Sequence, residues 1–341
     1  MKLKTAVKNL HEGWKFRQAR LTNWYPATVP GVVHTDLLQN KIIEGPFFRL
    51  NERGLQWIDK EDWVYETCFT LAADMMRKEN MELVFEGLDT YADVYLNDEC
   101  ILKADNMFRR WSIPVRQYIR EENNILKVYF HSPVKIDVPK WDALPYQYPA
   151  SNDQSENGGL FNKKISIFAR KAGYHYGWDW GPRLVTSGIW RPVYIRAWSD
   201  LRINDVFIEQ KEVGAGRAVI AGHVELDADK DMDGVLVTIT DEATGRVLGE
   251  WQADLKRGTN RVTVDFVLHK PKLWWSNGLG EPFLYRFRTD IIAGGELLDS
   301  KTERVGIRSL KVVHQPDKDG HTFYIELNGR PVFAKGANYI P

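Results

Sequence analysis

Two tryptophans enclose an aspartate in the stretch YHYGWDWGPRLVTSGIWRP, which places the carboxylate of Asp179 between the indoles of Trp178 and Trp180. A carboxylate only accepts hydrogen bonds and can take two hydroxyl donors at once. Indole faces can stack on the apolar C–H face of a sugar ring. Asp is depleted in β-strands, and a buried ionised carboxylate needs a partner. The motif therefore predicts either a structural corner, with Asp179 paired to Arg183 or Arg191, or a site that binds hydroxyl groups.

The geometry of the motif decides which indole can face a ligand. In an extended segment Trp178 and Trp180 would point to the same face. Gly177 and Gly181 permit turn geometry, however, and Pro182 stiffens the exit. We favour a bent segment in which Trp178 faces the ligand and Trp180 anchors the loop in the domain core.

The cysteines and His175 do not occur in sequence patterns that indicate a metal or catalytic site. Cys68 and Cys100 have neither a CxxC nor a Cys/His spacing, so we expect no metal and no cofactor. His175 precedes the motif and is predicted to be a hydrogen-bonded core histidine.

The charge balance restricts the partner. Lys plus Arg and Asp plus Glu both number 46, which argues against nucleic acid and anionic membranes. No apolar run is long enough for a signal peptide or a membrane span. This pattern predicts a cytoplasmic protein as the sequence is written, or a periplasmic or secreted one if a leader has been removed.

Short alternating apolar runs dominate the chain, and amphipathic helical stretches are scarce. The predicted strands are 82–86, 92–96, 125–131, 192–197, 206–210, 219–226, 235–240, 261–267 and 285–291. The only helix candidates are His34–Asn40 and Asp74–Lys78. Strands without intervening helices predict an all-β chain of antiparallel sandwiches.

Loop and turn signals in the sequence predict how the chain is divided. Four prolines and a polar run predict a long irregular loop over 133–162, of the kind that usually carries function. A boundary near residues 199 and 200 precedes a pattern of the size of an immunoglobulin-like sandwich. Asn328-Gly329 predicts a two-residue hairpin turn. The buried-looking strand PVFAKGANYI then ends the chain, which suggests truncation.

Motifs along the whole chain resemble those of the β-mannosidases of glycoside hydrolase family 2, and they occur in the family's order. They are ATVPGVVHTDLL (27–38), WIDKEDWVYE (57–66), FEGLDTYADVYLND (85–98), KADNMFRRW (103–111), FHSP (130–133), the tryptophan-flanked motif, WWSNGLGEPFLY (274–285) and VFAKGANYIP (332–341).

The resemblance implies a fold. Residues 1–199 would form a jelly-roll, galactose-binding-like β-sandwich and residues 200–308 an immunoglobulin-like β-sandwich. Residues 309–341 would supply the entering hairpin and first strand of a truncated (β/α)8 barrel. Retaining glycosidases use two carboxyl groups, and in this family both are glutamates on later barrel strands, so the resemblance implies no catalytic residue in this chain.

The resemblance also implies a site. Asp179 would accept hydrogen bonds from hydroxyls of a terminal mannose, with Trp178 as a second substrate-binding residue. Trp180, Arg183 and Asn338 would support the pocket. The partners would be a mannose-containing oligosaccharide and the catalytic barrel of the same polypeptide.

The function implied is that of the non-catalytic N-terminal domains of a retaining exo-β-mannosidase, inactive as a fragment. Alternatives within the family are an exo-β-D-glucosaminidase and a β-galactosidase. From another class, a stand-alone carbohydrate-binding module stays open, because fold does not determine function.

Overall fold

A computed structural model describes residues 5–338, which divide into two compact units between Ala197 and Trp198. Strands dominate both units, so the predicted all-β sandwich architecture is confirmed. No helix among these residues has the length and apolar character to cross a membrane.

The first unit is a sandwich of two sheets, in the orders β1-β10-β5-β8 and β3-β2-β4-β9-β6-β7. The second of these is antiparallel throughout. The strands are β1 (Ala6–Asn9), β2 (Lys15–Gln18), β3 (Tyr25–Pro26), β4 (Trp63–Phe69), β5 (Asn80–Phe85), β6 (Tyr91–Leu96), β7 (Glu99–Asp105), β8 (Trp111–Pro114), β9 (Asn124–Phe130) and β10 (Val193–Trp198).

The core of this unit lies between its sheets, because alternate residues of each strand point inward. Phe16, Tyr65 and Phe130 are fully buried, and the rings of Tyr65 and Phe130 meet edge to face at 5.7 Å. Four predicted strands of this unit are confirmed as β5, β6, β9 and β10. The sandwich therefore gives its loops a rigid base.

The helices of the first unit are short. They are α1 (Val33–Gln39), α2 (Asn51–Gly54), α3 (Ala73–Met76) and α4 (Pro133–Asp142), with 3₁₀ turns at Ile58–Lys60, Ile165–Ile167 and Gly173–Tyr176. The two predicted helices correspond to α1 and α3, with bounds that differ by one or two residues.

Helix α4 corrects the prediction of an irregular loop from residue 133. Pro133 occupies the first helical turn, where its missing N–H is harmless, and the Ser132 hydroxyl accepts a hydrogen bond from the Lys135 N–H at 3.1 Å. Trp141 and Val134 bury the helix against Tyr176, just before the tryptophan-flanked motif. The helix thus supports the segment that carries the candidate site.

Replacing the helix cap, Ser132→Ala, should lower the free energy of unfolding by about 1–3 kcal/mol, because the buried hydroxyl accepts from the Lys135 N–H and also donates to the Asp59 carbonyl at 2.5 Å. Urea unfolding measures the change. Lys135→Ala is the control, since it keeps the backbone donor and removes only a surface ion pair with Asp62. Equal stabilities of the two variants would contradict the capping role.

The second unit contains a sandwich of two sheets, in the orders β11-β12-β15 and β14-β13-β16-β17. Its strands are β11 (Leu201–Val213), β12 (Arg217–Ala228), β13 (Met232–Asp241), β14 (Arg246–Leu255), β15 (Gly258–His269), β16 (Tyr285–Ala293) and β17 (Glu296–Val305). Five of these were predicted, and β14 and β17 were not.

A small sheet of order β18-β21-β22 follows, built from β18 (Leu310–Val313), β21 (Tyr324–Leu327) and β22 (Arg330–Val332), with β19 (Pro316–Asp317) and β20 (Gly320–His321) paired beside it. Asn328 and Gly329 have φ of 51° and 76°, as the predicted hairpin turn requires.

The buried strand predicted over the last residues is not formed beyond Val332 within the described part of the chain. Residues 333–338 have no regular structure, and Phe333 is 83 % exposed, because none of the described strands pairs with this stretch. Residues 339–341 lie outside the described residues.

Candidate functional site

The tryptophan-flanked motif forms a bent loop at the surface of the first unit. Gly177 has φ of 94°, a conformation that glycine adopts without steric cost. The Trp178 N–H donates to the Gly181 carbonyl at 3.1 Å, and the Gln154 side-chain amide donates to the Trp178 carbonyl. The expected bend is therefore present.

Asp179 is exposed at the tip of this loop. Within residues 5–338 its carboxylate has neither a hydrogen bond nor an ion pair. The alternative of a structural corner, with Asp179 buried against Arg183 or Arg191, is not the arrangement observed. The carboxylate is free to accept donors from outside the unit.

The two indoles differ in burial, and one expectation about them is wrong. Trp178 is half-buried, whereas Trp180 is 60 % exposed and does not anchor the loop in the core. The bend turns the tip away from the sandwich, so the anchoring falls to residues on either side of it. Both indoles line the same groove as Asp179.

This groove has a volume of about 620 Å³. It is lined by residues 178–183, by six residues of the segment 46–56, and by Gln154 and Asn157. Aromatic rings, amides and charged groups therefore surround the Asp179 carboxylate, which has no partner among the described residues. Such a mixture of stacking surfaces and hydrogen-bonding groups suits a ligand with many hydroxyls.

Sequence reasoning missed the wall formed by residues 46–56. Phe47, Arg49 and Arg53 contribute its aromatic and basic side chains. No periodicity or motif marks them as groove residues. The nearest signal is their position directly before residues 57–66, which belong to the family resemblance.

Arg183 supports the loop through a partner that the sequence did not indicate. Its guanidinium lies 2.7 Å from a carboxylate oxygen of Asp59, and both side chains are almost fully buried. Arg183 also donates to the Gln56 side-chain oxygen at 3.0 Å, while the Gln56 amide donates to the Arg183 carbonyl at 2.8 Å. Burial raises the pKa of Asp59, and the Arg183 charge opposes that rise. The pair fastens the exit of the loop.

Asn338, the remaining predicted support, is an exposed residue of the second unit beyond its last strand. Its role stays a prediction. Within residues 5–338 no group of three His, Cys, Asp or Glu side chains is placed to hold a metal ion.

His175 is partly buried beside the loop, and its ring is hydrogen-bonded, as predicted. Its Nδ1 is 3.1 Å from the Thr186 hydroxyl and 3.4 Å from the Leu184 carbonyl. Burial and the nearby Lys171 charge lower the pKa of His175 to about 4, and the same causes lower the pKa of His34 to about 4. Both rings are neutral in the folded unit at pH 7.

The neutral histidines make the first unit less stable in mild acid. Between their ordinary pKa of 6.5 and the folded value of about 4 the unfolded chain binds more protons, so the free energy of unfolding falls as pH decreases. Each histidine contributes up to about 1.4 kcal/mol per pH unit. Urea unfolding at pH 7 and pH 5 should show this loss of stability. The loss should be smaller in His175→Asn, because that variant lacks one of the two histidines. Exposed His314→Asn is the control, and a dependence unaltered in His175→Asn would contradict the assignment.

Comparison with known proteins extends these observations. Residues 14–191 match the family described as "Glycosyl hydrolase 2 galactose-binding domain-like", and residues 201–308 match "Glycosyl hydrolases family 2". The first match alone covers more than half of the chain and includes every residue that lines the groove.

Similar proteins include Beta-mannosidase B of Aspergillus flavus, 31 % identical over 97 % of this chain and 39 % of that protein. The crystal structure of Beta-D-Mannosidase from Dictyoglomus thermophilum has a TM-score of 0.86 and 34 % identity, over 98 % of this chain and 40 % of that one. The exo-chitosanase of Amycolatopsis orientalis, with a TM-score of 0.73 over 98 % of this chain and 37 % of that one, is 18 % identical and shares the fold alone. The chain therefore spans about two fifths of the length of these relatives.

Proposed function

Because this chain belongs to glycoside hydrolase family 2, we propose that it is the N-terminal, non-catalytic part of a retaining exo-β-mannosidase. Such an enzyme hydrolyses terminal non-reducing β-D-mannose residues. The similarity to β-mannosidases of Aspergillus flavus and Dictyoglomus thermophilum supports the choice of sugar.

In this proposal the chain has three parts. Residues 1–199 form the sugar-contacting jelly-roll domain, and residues 200–308 form an immunoglobulin-like spacer. Residues 309–341 are the entering hairpin and first strand of a catalytic barrel, which belongs to the longer protein. Support comes from the relatives, which are more than twice the length of this chain.

The unpaired carboxylate of Asp179 is the observation that carries the proposal. A carboxylate that lies in a groove between two indoles and has no donor among the described residues can accept two sugar hydroxyls. Charge-assisted hydrogen bonds of this kind are about twice as strong as neutral ones. Trp178 offers an apolar face beside it.

The chemistry is divided between the two parts of the longer enzyme. Retaining hydrolysis uses an acid/base and a nucleophile about 5–5.5 Å apart, and the proposal assigns both to the barrel. The loop around Asp179 binds and orients the terminal sugar. Contacts that strengthen as the ring distorts lower the barrier, because only interactions that are stronger in the transition state accelerate the reaction.

The 341-residue chain should release no product from an aryl β-mannoside, whereas the protein extended through a barrel should do so. Release of 4-nitrophenol measures both. Aryl β-glucosaminide and β-galactoside are the parallel substrates, and a preference of the extended protein for either one would contradict the mannosidase assignment. Turnover by the 341-residue chain would contradict its non-catalytic role.

Replacing Asp179 by Ala in the extended enzyme should reduce kcat/KM by the equivalent of about 1–3 kcal/mol, because sugar hydroxyls lose their acceptor in a desolvated pocket. Glu121→Ala is the matched control, since it removes an exposed carboxylate of the same unit that does not line the groove. Unchanged kinetics of the Asp179 variant would contradict the sugar-contact role.

A further inference from the structure

A buried ion pair lies at the base of the loop that carries Asp179. The side chains of Lys171 and Asp89 are 0 % and 1 % exposed, and the Lys171 ammonium donates to Asp89 Oδ1. Lys171 also donates to the Thr186 carbonyl at 2.9 Å and to the Thr186 hydroxyl at 3.1 Å. All three ammonium donors are thereby satisfied.

The Asp89 carboxylate is equally well satisfied. The Thr186 hydroxyl donates to its Oδ2 at 2.6 Å, and the Thr90 hydroxyl donates to its Oδ1 at 2.5 Å. Burial alone would raise the pKa of Asp89, but the Lys171 charge and the hydrogen bonds from Lys171 and Thr186 hold it below its ordinary value. Burial lowers the pKa of Lys171, and the Asp89 charge opposes that change. The pair thus lies within a closed network of hydrogen bonds.

The three residues come from different parts of the unit. Asp89 lies between β5 and β6 and exchanges two backbone hydrogen bonds of 2.9 Å with Gly188. Lys171 lies eight residues before Asp179 and Thr186 seven residues after it, so Asp179 stands near the middle of the segment between them. One ammonium group consequently joins both ends of the loop to the rigid sandwich.

The tip of the loop depends on this base. Asp179 and Trp180 are exposed, so packing around them contributes little to their position. Buried ion pairs are a weak source of stability, because desolvation offsets most of their attraction. They do restrict geometry, since each charged group must keep its partners.

We infer that Lys171, Asp89 and Thr186 form a clamp that positions the Asp179 loop, and that Lys171 and Thr186 are positioning residues for the sugar contact. This inference rests on the proposed function. The clamp acts through the loop and does not touch the sugar.

The first test measures the loop in the 341-residue chain by hydrogen exchange. Thr186→Val keeps the side-chain shape but removes the hydroxyl, which donates to Asp89 Oδ2, accepts from the Lys171 ammonium and lies 3.1 Å from His175 Nδ1. Amides of residues 172–185 should exchange at least about ten times faster than in the parent, because the Thr186 hydroxyl makes three hydrogen-bond contacts that valine cannot make. Amides of β4 and β9 should be unaffected, and Thr186→Ser should restore the parent rates.

A matched control separates the clamp from a general loss of stability. Thr67 is another buried threonine of the same unit and lies on β4. Thr67→Val removes its hydroxyl, which donates to the Glu12 carbonyl at 3.0 Å. It should leave the exchange of residues 172–185 unchanged. Equal loop exchange in the parent and in Thr186→Val, or equal acceleration in both valine variants, would overturn the clamp.

The second test is a double-mutant cycle in the extended enzyme. If Thr186 acts through Asp179, Thr186→Val should lower kcat/KM about tenfold in the parent and leave it unchanged in an Asp179→Ala background. Independent, multiplicative losses would overturn the positioning role. An Asp179→Ala enzyme with parental kcat/KM would instead overturn the proposed function, and the exchange measurement distinguishes that outcome.

Discussion

The removal of Lys171 and Asp89 from water is the constraint on which the candidate site depends. An unpaired charge in this interior would cost several kcal/mol, so both side chains must keep their partners. Those partners lie on the turn between β5 and β6 and on the two ends of the motif loop. The sandwich core keeps the turn in place, and the ion pair transmits that rigidity to the loop. A second buried pair, Arg183 with Asp59, holds the exit of the same loop.

The loop around Asp179 thus has fully paired charged groups at its base and, within residues 5–338, an unpaired carboxylate at its tip. Every charged group at the base has its partner within the unit, whereas the Asp179 carboxylate has none in the described chain. A rigid scaffold that carries an unpaired acceptor on a surface loop is a common arrangement for binding. The arrangement fits a domain that contributes one wall of a sugar pocket and leaves bond cleavage to another part of a longer enzyme.

The sequence predicted those strands and turns that depend on residues close together in the chain. Alternating apolar residues identified most of the long strands, and Asn328-Gly329 identified its turn. Strand β14 was missed because most of its residues are exposed and show no alternation. Helix α4 was missed because its prolines resemble helix breakers, although Ser132-Pro133 is a good helix start. The partners of Lys171 and Arg183 are distant in sequence, and the position of Trp180 depends on a bend, so neither follows from local pattern.

The central claim is that the Asp179 carboxylate contacts the terminal sugar. The most direct test is a crystal structure of the protein extended through a barrel, with a mannose-configured inhibitor bound. The account predicts that Asp179 accepts two sugar hydroxyls at about 2.5–3.0 Å, with the Trp178 indole beside the ring. A sugar bound in the pocket with this carboxylate out of hydrogen-bonding distance of every hydroxyl would contradict it.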